Sequence, residues 1–347
     1  DKRDGGVDVR RIENKLGIHG SPTCELVYKN AKAQLCGSEK MGLIKYVMAL
    51  MNGARLGIAG QSTGTSQMAY NEALAYAKDR KQFGKAIIEF PAVYDMLSIM
   101  KAKLDAGRTL YYSTARYVDV YKTLEDIERE RKAAGEKLTA EERAECKTFS
   151  KLADAFTPVA KGMTSEYCNQ ITYDGIQVHG GSGFMLEYAC QRLYRDARIL
   201  TIYEGTTQLQ TVAAGRYITN GFYGQVLADM LEAGQSPKNW GSEDWCAAEF
   251  LPLKEKIAKM VEKYNEAVAY TVEKKDDEFK DFVIRHLYEM AADCIMALLL
   301  IGDASKAPEL FGKSARVYAR YAASEVERHY DFVMSATPED LADYRKA

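Results

Sequence analysis

GLIKYVMALMNGARLGIAGQSTGTSQMAYNEALAYAK, residues 42–78, is the stretch on which the fold turns. Leu43, Val47, Leu50, Met51, Ala54 and Ile58 recur at three- and four-residue intervals, and the helical periodicity persists to about Lys78. Gly53, Gly57, Gly60 and Gly64 fall on the same helix at intervals of four, three and four. Each glycine costs about 1 kcal/mol against alanine in a helix interior. The expected compensation is close approach of a neighbouring helix or a ligand, which a missing Cβ permits.

Downstream, a second helix follows Pro91, with Val93, Met96, Leu97, Met100 and Leu104 on one face, and runs toward Tyr121. Glu125 to Glu145 is crowded with charges of both signs, broken at Gly135 and restarted by a capping box at Thr139 to Glu142, which predicts a solvent-exposed helical hairpin. A further long helix is expected from about Glu141 to Tyr173, kinked at Pro158 and ending before Gly175. A glycine loop follows Gln177, then a short helix near Glu187 to Arg195, another from near Thr206, and a break at Asn220-Gly221. Gly234 to Gly241 reads as a linker, and apolar-periodic segments at about 246–272, 278–301 and 305–334 read as a second helical layer. Upstream of residue 42, Gly17, Gly20 and Pro22 around Leu26-Val27-Tyr28 read as turn and strand, the tail of a β-region. The length of 347 residues fits two domains at about 150 residues each. The fold class is all-α, a four-helix bundle, divided as a β remnant at 1–39, a bundle at 40–221 and a helical extension at 222–347.

A net charge of −2, with 47% apolar and 28% charged residues, supplies no field of one sign for nucleic acid or an anionic membrane. The longest unbroken apolar run, Cys294 to Ile301, is far short of the ~20 residues of a membrane-spanning helix, so a soluble chain is expected. The chain opens on Asp1-Lys2-Arg3-Asp4 without an initiator Met or a secretory signal, which suggests a processed or truncated start. Seven widely spaced cysteines without a C-x-x-C pair read as reduced thiols of a cytoplasmic protein, mostly packed as small hydrophobes. Gly180-Gly181-Ser182-Gly183 is not a dinucleotide fingerprint, and neither a P-loop nor a G-x-S-x-G elbow occurs. The four histidines (19, 179, 286, 329) read as isolated, with no metal site, and His329 with Glu325 reads as an exposed helix pair.

Two segments carry the chemistry. Tyr76 to Lys85 reads as a helix ending at a glycine, with cationic and aromatic groups at its last turn. Between Gln177 and Gln210, Glu204 sits in the apolar run Ile199, Leu200, Ile202, Tyr203 and is followed at once by Gly205. Gly205 frees the backbone beside Glu204 and would aim one carboxylate into an apolar cavity, where desolvation raises a carboxyl toward the range of a general base. Thr206 and Gln208 open the next helix, whose free N–H groups suit a phosphate-bearing ligand. The residues alone favour Glu204 as a capping carboxylate and Thr206 as an ordinary N-cap.

These segments resemble the acyl-CoA dehydrogenase family. Arg80-Lys81-Gln82-Phe83-Gly84 is similar to its R-x-x-F-G flavin motif, and Gln177 to Phe184 to its Q-x-x-G-G-x-G-[FY] motif. Tyr203-Glu204-Gly205-Thr206 is similar to its catalytic segment, and Arg195-Asp196-Ala197 to its R-D-[AS] turn. The resemblance spans about residues 10 to 218. It implies that Glu204 removes the α-proton of an acyl-CoA substrate while the β-hydrogen leaves as hydride to FAD. It implies that Arg80, Gln82 and Phe83 touch the flavin dinucleotide of a neighbouring subunit, as do Gln177, Gly180 and Gly181 from their side of the interface. The resemblance further implies that Thr206 and Gln208 hold the chain's own flavin and that Arg55 and Gly205 lie at the acyl-CoA cleft. A homodimer or homotetramer is implied, with electron-transfer flavoprotein as a partner.

The family's amino-terminal helical domain and most of its β-domain have no counterpart in these residues, so the chain alone is expected to be inactive and to bind flavin poorly. The charged hairpin and the extension after about residue 222 resemble a larger bacterial branch that includes methylthiopropanoyl-CoA dehydrogenase-like members. Two rival readings are an acyl-CoA oxidase, which hands its electrons to oxygen, and a non-catalytic helical assembly module.

Overall fold

Ala59, Ser62, Ser66, Ala69, Ala73 and Ala77 form the buried seam of the first helix of the computed structural model, α1 (Met48–Asp79), where small side chains let a neighbouring helix come close. The structure describes residues 5–234 and 245–342, so most of the expected linker at Gly234 to Gly241 lies outside the described residues. The seryl hydroxyls are satisfied within α1, Ser62 donating to the Ile58 carbonyl at 2.8 Å and Ser66 to that of Ser62 at 2.7 Å.

The expected glycine seam is therefore corrected. A Cβ at Gly53, Gly57 or Gly64 would meet nothing within 4 Å, and only at Gly60 would it meet a neighbour, the Tyr111 hydroxyl at 3.1 Å. The apolar periodicity at the start of the helix is corrected too. Leu50 is 71% exposed and Val47 is exposed, so burial begins near Ile58. A helical period read from apolar residues cannot detect a seam of Ala and Ser.

The second helix, α2 (Pro91–Ala133), starts with proline at a position that needs no N–H, and continues well past Tyr121. The third, α3 (Ala140–His179), opens on the Thr139 and Glu142 capping box. The charged hairpin is thus the projecting ends of two long helices, joined by a bidentate pair of Arg131 with Glu142 at 2.6 and 3.0 Å. α3 runs through Pro158, whose carbonyl accepts the Tyr288 hydroxyl at 3.0 Å. It also runs through Gly175, beyond the end expected for it, and a Cβ at that position would make only ordinary contact with the Ala69 carbonyl of α1. The turn that ends it is at Gly180, with φ +59°.

Short helices α4 (Ala189–Ala197), α5 (Thr207–Thr219) and α6 (Phe222–Ala233) follow, α5 and α6 being divided by Gly221 at φ +77°. The last three helices are α7 (Leu251–Glu273), α8 (Asp277–Lys306) and α9 (Pro308–Ser335). α8 carries the apolar run from Cys294 to Ile301, buried on every side because α7, α9, α2 and α5 surround it. One hydrophobic core extends from Ala59 to Ala336, in which each fully buried Leu, Ile, Met or Phe contributes about 1.5–3 kcal/mol. Two buried carboxylates join the layers. Asp293 accepts the hydroxyls of Tyr167 and Tyr318, both at 2.8 Å, and its burial pushes the carboxyl up to about 7. Asp105 accepts Ser314 of α9 at 2.6 Å together with Lys101 and Arg108 of α2.

The chain is all-helical apart from two small hairpins among the described residues. β1 (Val7–Ile12) pairs antiparallel with β2 (Cys24–Tyr28), the strand legible in the sequence. This hairpin is docked on the bundle through the Arg195-Asp196 turn, with the Ile18 N–H donating to Asp196 at 2.5 Å and Arg195 donating to the Leu16 carbonyl at 3.0 Å. Among the described residues no helix is long and apolar enough to cross a membrane. The seven cysteines are free, but only Cys168, Cys190 and Cys294 are buried, so most are not core hydrophobes. His286 and His329 are not isolated. Their Nδ1 atoms lie 2.7 Å apart, and His329 is buried and bonded to Glu289 at 2.9 Å, while Glu325 pairs with Arg328 instead. Residues 43 positions apart leave no local pattern to read.

Candidate active site

A small core of Ile58, Cys168, Ala197 and Leu200, with Tyr203 packed on it, carries the chain from α4 through the 3₁₀ turn at Arg198–Thr201 to Glu204. Glu204 (φ +55°) and Gly205 (φ +93°) are consecutive residues in left-handed backbone. For glutamate that conformation costs of the order of 1–3 kcal/mol and persists only where its surroundings enforce it. Three helices do so. Arg55 of α1 donates from Nε to the Glu204 carbonyl at 3.2 Å. Gln210 of α5 donates from Nε2 to the carbonyls of Glu204 at 3.3 Å and Gly205 at 3.0 Å. Lys161 of α3 donates from Nζ to the Gly205 carbonyl at 2.6 Å. The φ of +93° favours glycine at 205, and a Cβ there would stand 2.8 Å from Gln210 Nε2, so that the amide holding the turn would have to shift.

Glu204 itself is half-buried, so these residues by themselves do not enclose it in the expected apolar cavity. Arg55 and Gly205, expected at the substrate, are engaged through the backbone of this turn. The N-cap of α5 is Thr206, whose hydroxyl accepts the Leu209 N–H at 3.3 Å; Glu204 does not cap the helix. Thr206 and Gln208 are exposed at this helix start. Beneath them the Thr207 hydroxyl and Gln210 Oε1 are buried without a hydrogen-bond partner.

The other segment is built differently. α1 ends at Asp79, not at Gly84, and the chain turns through β3 (Lys81–Gln82) and β4 (Lys85–Ala86). Phe83 (φ +50°) and Gly84 (φ +83°) make a two-residue turn of the type that fits strand twist. The turn projects the Phe83 ring at 93% exposure, with Arg80 and Gln82 exposed beside it. At the end of α3, Gln177, Gly180 and Gly181 are exposed, and a Cβ on either glycine would meet nothing within 4 Å. Tyr76 joins the two segments within one chain. Its ring stacks on His179 at 4.4 Å and its hydroxyl donates to Ser182 at 3.1 Å.

The site residues therefore fall into two groups. At 1.5 Å per residue, Arg55 and Arg80 lie about 37 Å apart along α1, and Lys161 and His179 about 27 Å apart along α3. Lys161 and Gln210 were not singled out from the sequence. Lys161 had a readable signal, a lone cation in the apolar helical run Val159-Ala160-Lys161-Gly162-Met163. Its ammonium is buried, and desolvation first, then Arg55, lowers its pKa to about 8.

Comparison with known proteins bears on both groups. The sequence family described as "Acyl-CoA dehydrogenase, C-terminal domain" matches residues 44–218, and "Acyl-CoA dehydrogenase C terminal" matches residues 219–341. The 3-methylmercaptopropionyl-CoA dehydrogenase of Ruegeria pomeroyi is 36% identical over 208 residues, 57% of this chain and 32% of that protein. The caffeyl-CoA reductase-Etf complex subunit CarC of Acetobacterium woodii is 35% identical over 213 residues, 60% of this chain and 48% of that protein. The chain thus spans about half or less of the length of these relatives. Among solved structures, the Bacillus anthracis acyl-CoA dehydrogenase complexed with FAD matches 99% of this chain and 59% of that one, at a TM-score of 0.74 and 22% identity, which shows the fold. Butyryl-CoA dehydrogenase from Megasphaera elsdenii matches 63% of this chain and 50% of that one, at a TM-score of 0.51 and 30% identity. With its helical bundle and the helices beyond it both matched, the chain belongs to the acyl-CoA dehydrogenase family.

Proposed function

We propose that the chain is the carboxy-terminal part of a flavin-dependent acyl-CoA dehydrogenase in which Glu204 is the base that removes the α-proton of an acyl-CoA thioester. The observation that carries this reading is the Glu204-Gly205 turn, two left-handed residues whose carbonyls are gripped from α1, α3 and α5. Positive φ alone also serves ordinary reversals such as Phe83-Gly84, but a grip from three helices goes beyond reversal and fixes the direction of one carboxylate. A carboxylate so held can take a proton at its oxygen while the adjacent carbon loses hydride. The same group, protonated, serves the reverse reaction, and two relatives are named as reductases.

The donor set fits a flavin dinucleotide in two parts. Arg80, Gln82 and Gln177 offer charge and amide donors for a diphosphate, Phe83 offers an exposed ring for a purine, and the Gly180-Gly181 backbone leaves room for close approach. Thr206 and Gln208 stand exposed at the start of α5, whose free N–H groups suit a second contact near Glu204. Flavin, when bound, supplies acceptance of the β-hydride. Because the two groups are about 27–37 Å apart along α3 and α1, each chain contributes to two flavin sites, and the protein acts as a homodimer or a larger even assembly. Electron-transfer flavoprotein is the proposed acceptor, supported by the relative named as part of an Etf complex. Unpaired cysteines agree with a cytoplasmic setting.

The test is anaerobic bleaching of the full-length flavoprotein by an acyl-CoA. Glu204→Gln should retain flavin and slow bleaching by about 10²–10⁴-fold, the usual contribution of a positioned base. Near-normal bleaching would remove Glu204 from this role. Rapid reoxidation of the reduced enzyme by oxygen would instead favour an oxidase.

A further inference from the structure

Lys161 is fully buried in the middle of α3, and the bond its ammonium makes is to a backbone carbonyl, that of Gly205. Among the described residues no carboxylate is ion-paired with it. Glu166 lies one turn further along the same helix and is shared with Arg285 of α8 at 3.5 Å. Tyr288 of α8 spends its hydroxyl on the Pro158 carbonyl. Arg55 of α1 adds a second positive charge, Gln210 of α5 adds a neutral donor, and Glu204 is the acid on the turn itself. A buried cation without a bonded counter-ion is costly, and a helix that needed only packing here would carry Leu or Met. The ammonium is aimed at the Gly205–Thr206 peptide, one residue beyond the proposed base.

We propose that Lys161 is a positioning residue for Glu204. Acting through the Gly205 carbonyl, its ammonium fixes the direction in which the carboxylate is presented. This rests on the reading of Glu204 as the base. The geometry supplies the hold. The 2.6 Å bond pins the peptide plane on the far side of residue 205, where Gly205 has no side chain to hold it.

The experiment uses the full-length holoenzyme with butyryl-CoA and a dye acceptor. Lys161→Met keeps the volume and removes the donor and the charge. It should lower kcat by about 10- to 100-fold, as small misplacements of reacting groups do, with KM and flavin content little changed. A second variant covers a failure of Lys161→Met to fold. Lys161→Ala should regain activity with added propylamine but not with propanol, which fills the same space without charge. A folded, flavin-loaded Lys161→Met with wild-type kcat would overturn the proposal. So would equal rescue of Lys161→Ala by propanol, which would mark a packing role. If Glu204→Gln is itself active, the base reading fails; if it is inactive while Lys161→Met behaves as wild type, only the role of Lys161 fails.

Discussion

Phe83-Gly84 and Glu204-Gly205 are the same backbone device put to opposite uses. Each is a large residue followed by glycine, both at positive φ: +50° and +83° in the first turn, +55° and +93° in the second. The carbonyls of Glu204 and Gly205 are held by Arg55, Lys161 and Gln210 from three helices. The first turn is closed by a two-residue ladder, Lys81 with Ala86 and Gln82 with Lys85, and shows its ring to solvent. Strain of this kind is stable where surroundings over-determine it. The clamped turn is therefore preorganised within the chain, as the proposed proton-transfer role requires, whereas the open turn presents its ring to solvent.

Substituting the two glycines separates these uses. Gly205→Ala meets both strain at φ +93° and a contact of 2.8 Å with Gln210, and should displace the clamp and reduce turnover of the full-length enzyme by about 100-fold or more. Gly84→Ala carries similar backbone strain but open space, and should cost only about 1 kcal/mol in urea unfolding with the clamped turn unaffected. If both variants lost turnover equally while retaining flavin, the distinction between the turns would collapse. Phe83→Ala is the smallest change. A ring 93% exposed should alter stability by no more than about 0.5 kcal/mol, and its effect should appear as faster loss of flavin on dilution. A clear fall in unfolding midpoint would mean that the ring is part of the chain's own packing.

The helical class, the second strand, the capping box at Thr139 and the break at Gly221 were legible because each rests on local pattern. The seam of α1 was misread because attention to glycine spacing overlooked Ala59, Ser62, Ser66, Ala69, Ala73 and Ala77, which are small enough to pack and carry no apolar signal as a set. The end expected for α3 falls too early because Gly175 reads as a terminator, whereas the helix tolerates this glycine and continues to His179. At the site, Glu204 followed by Gly205 was visible in sequence, but the grip on it was not. Arg55, Lys161 and Gln210 lie on three separate helices, and only the packing of α1, α3 and α5 brings their donors to one turn.

The central claim is that the clamped turn and the open turn of one chain serve different flavins. Hybrid enzymes test it directly. Full-length Glu204→Gln and full-length Arg80→Glu, each inactive alone, are co-expressed with different affinity tags, and the mixed assembly is purified through both. If each site takes Glu204 from one chain and Arg80 from its neighbour, one site of every mixed pair is intact, and activity should return to about half that of wild type per pair, the fraction set by two-fold symmetry. A doubly tagged, flavin-containing hybrid as inactive as its parents would contradict the claim, because it would place Arg80 and Glu204 of the same chain at a single flavin.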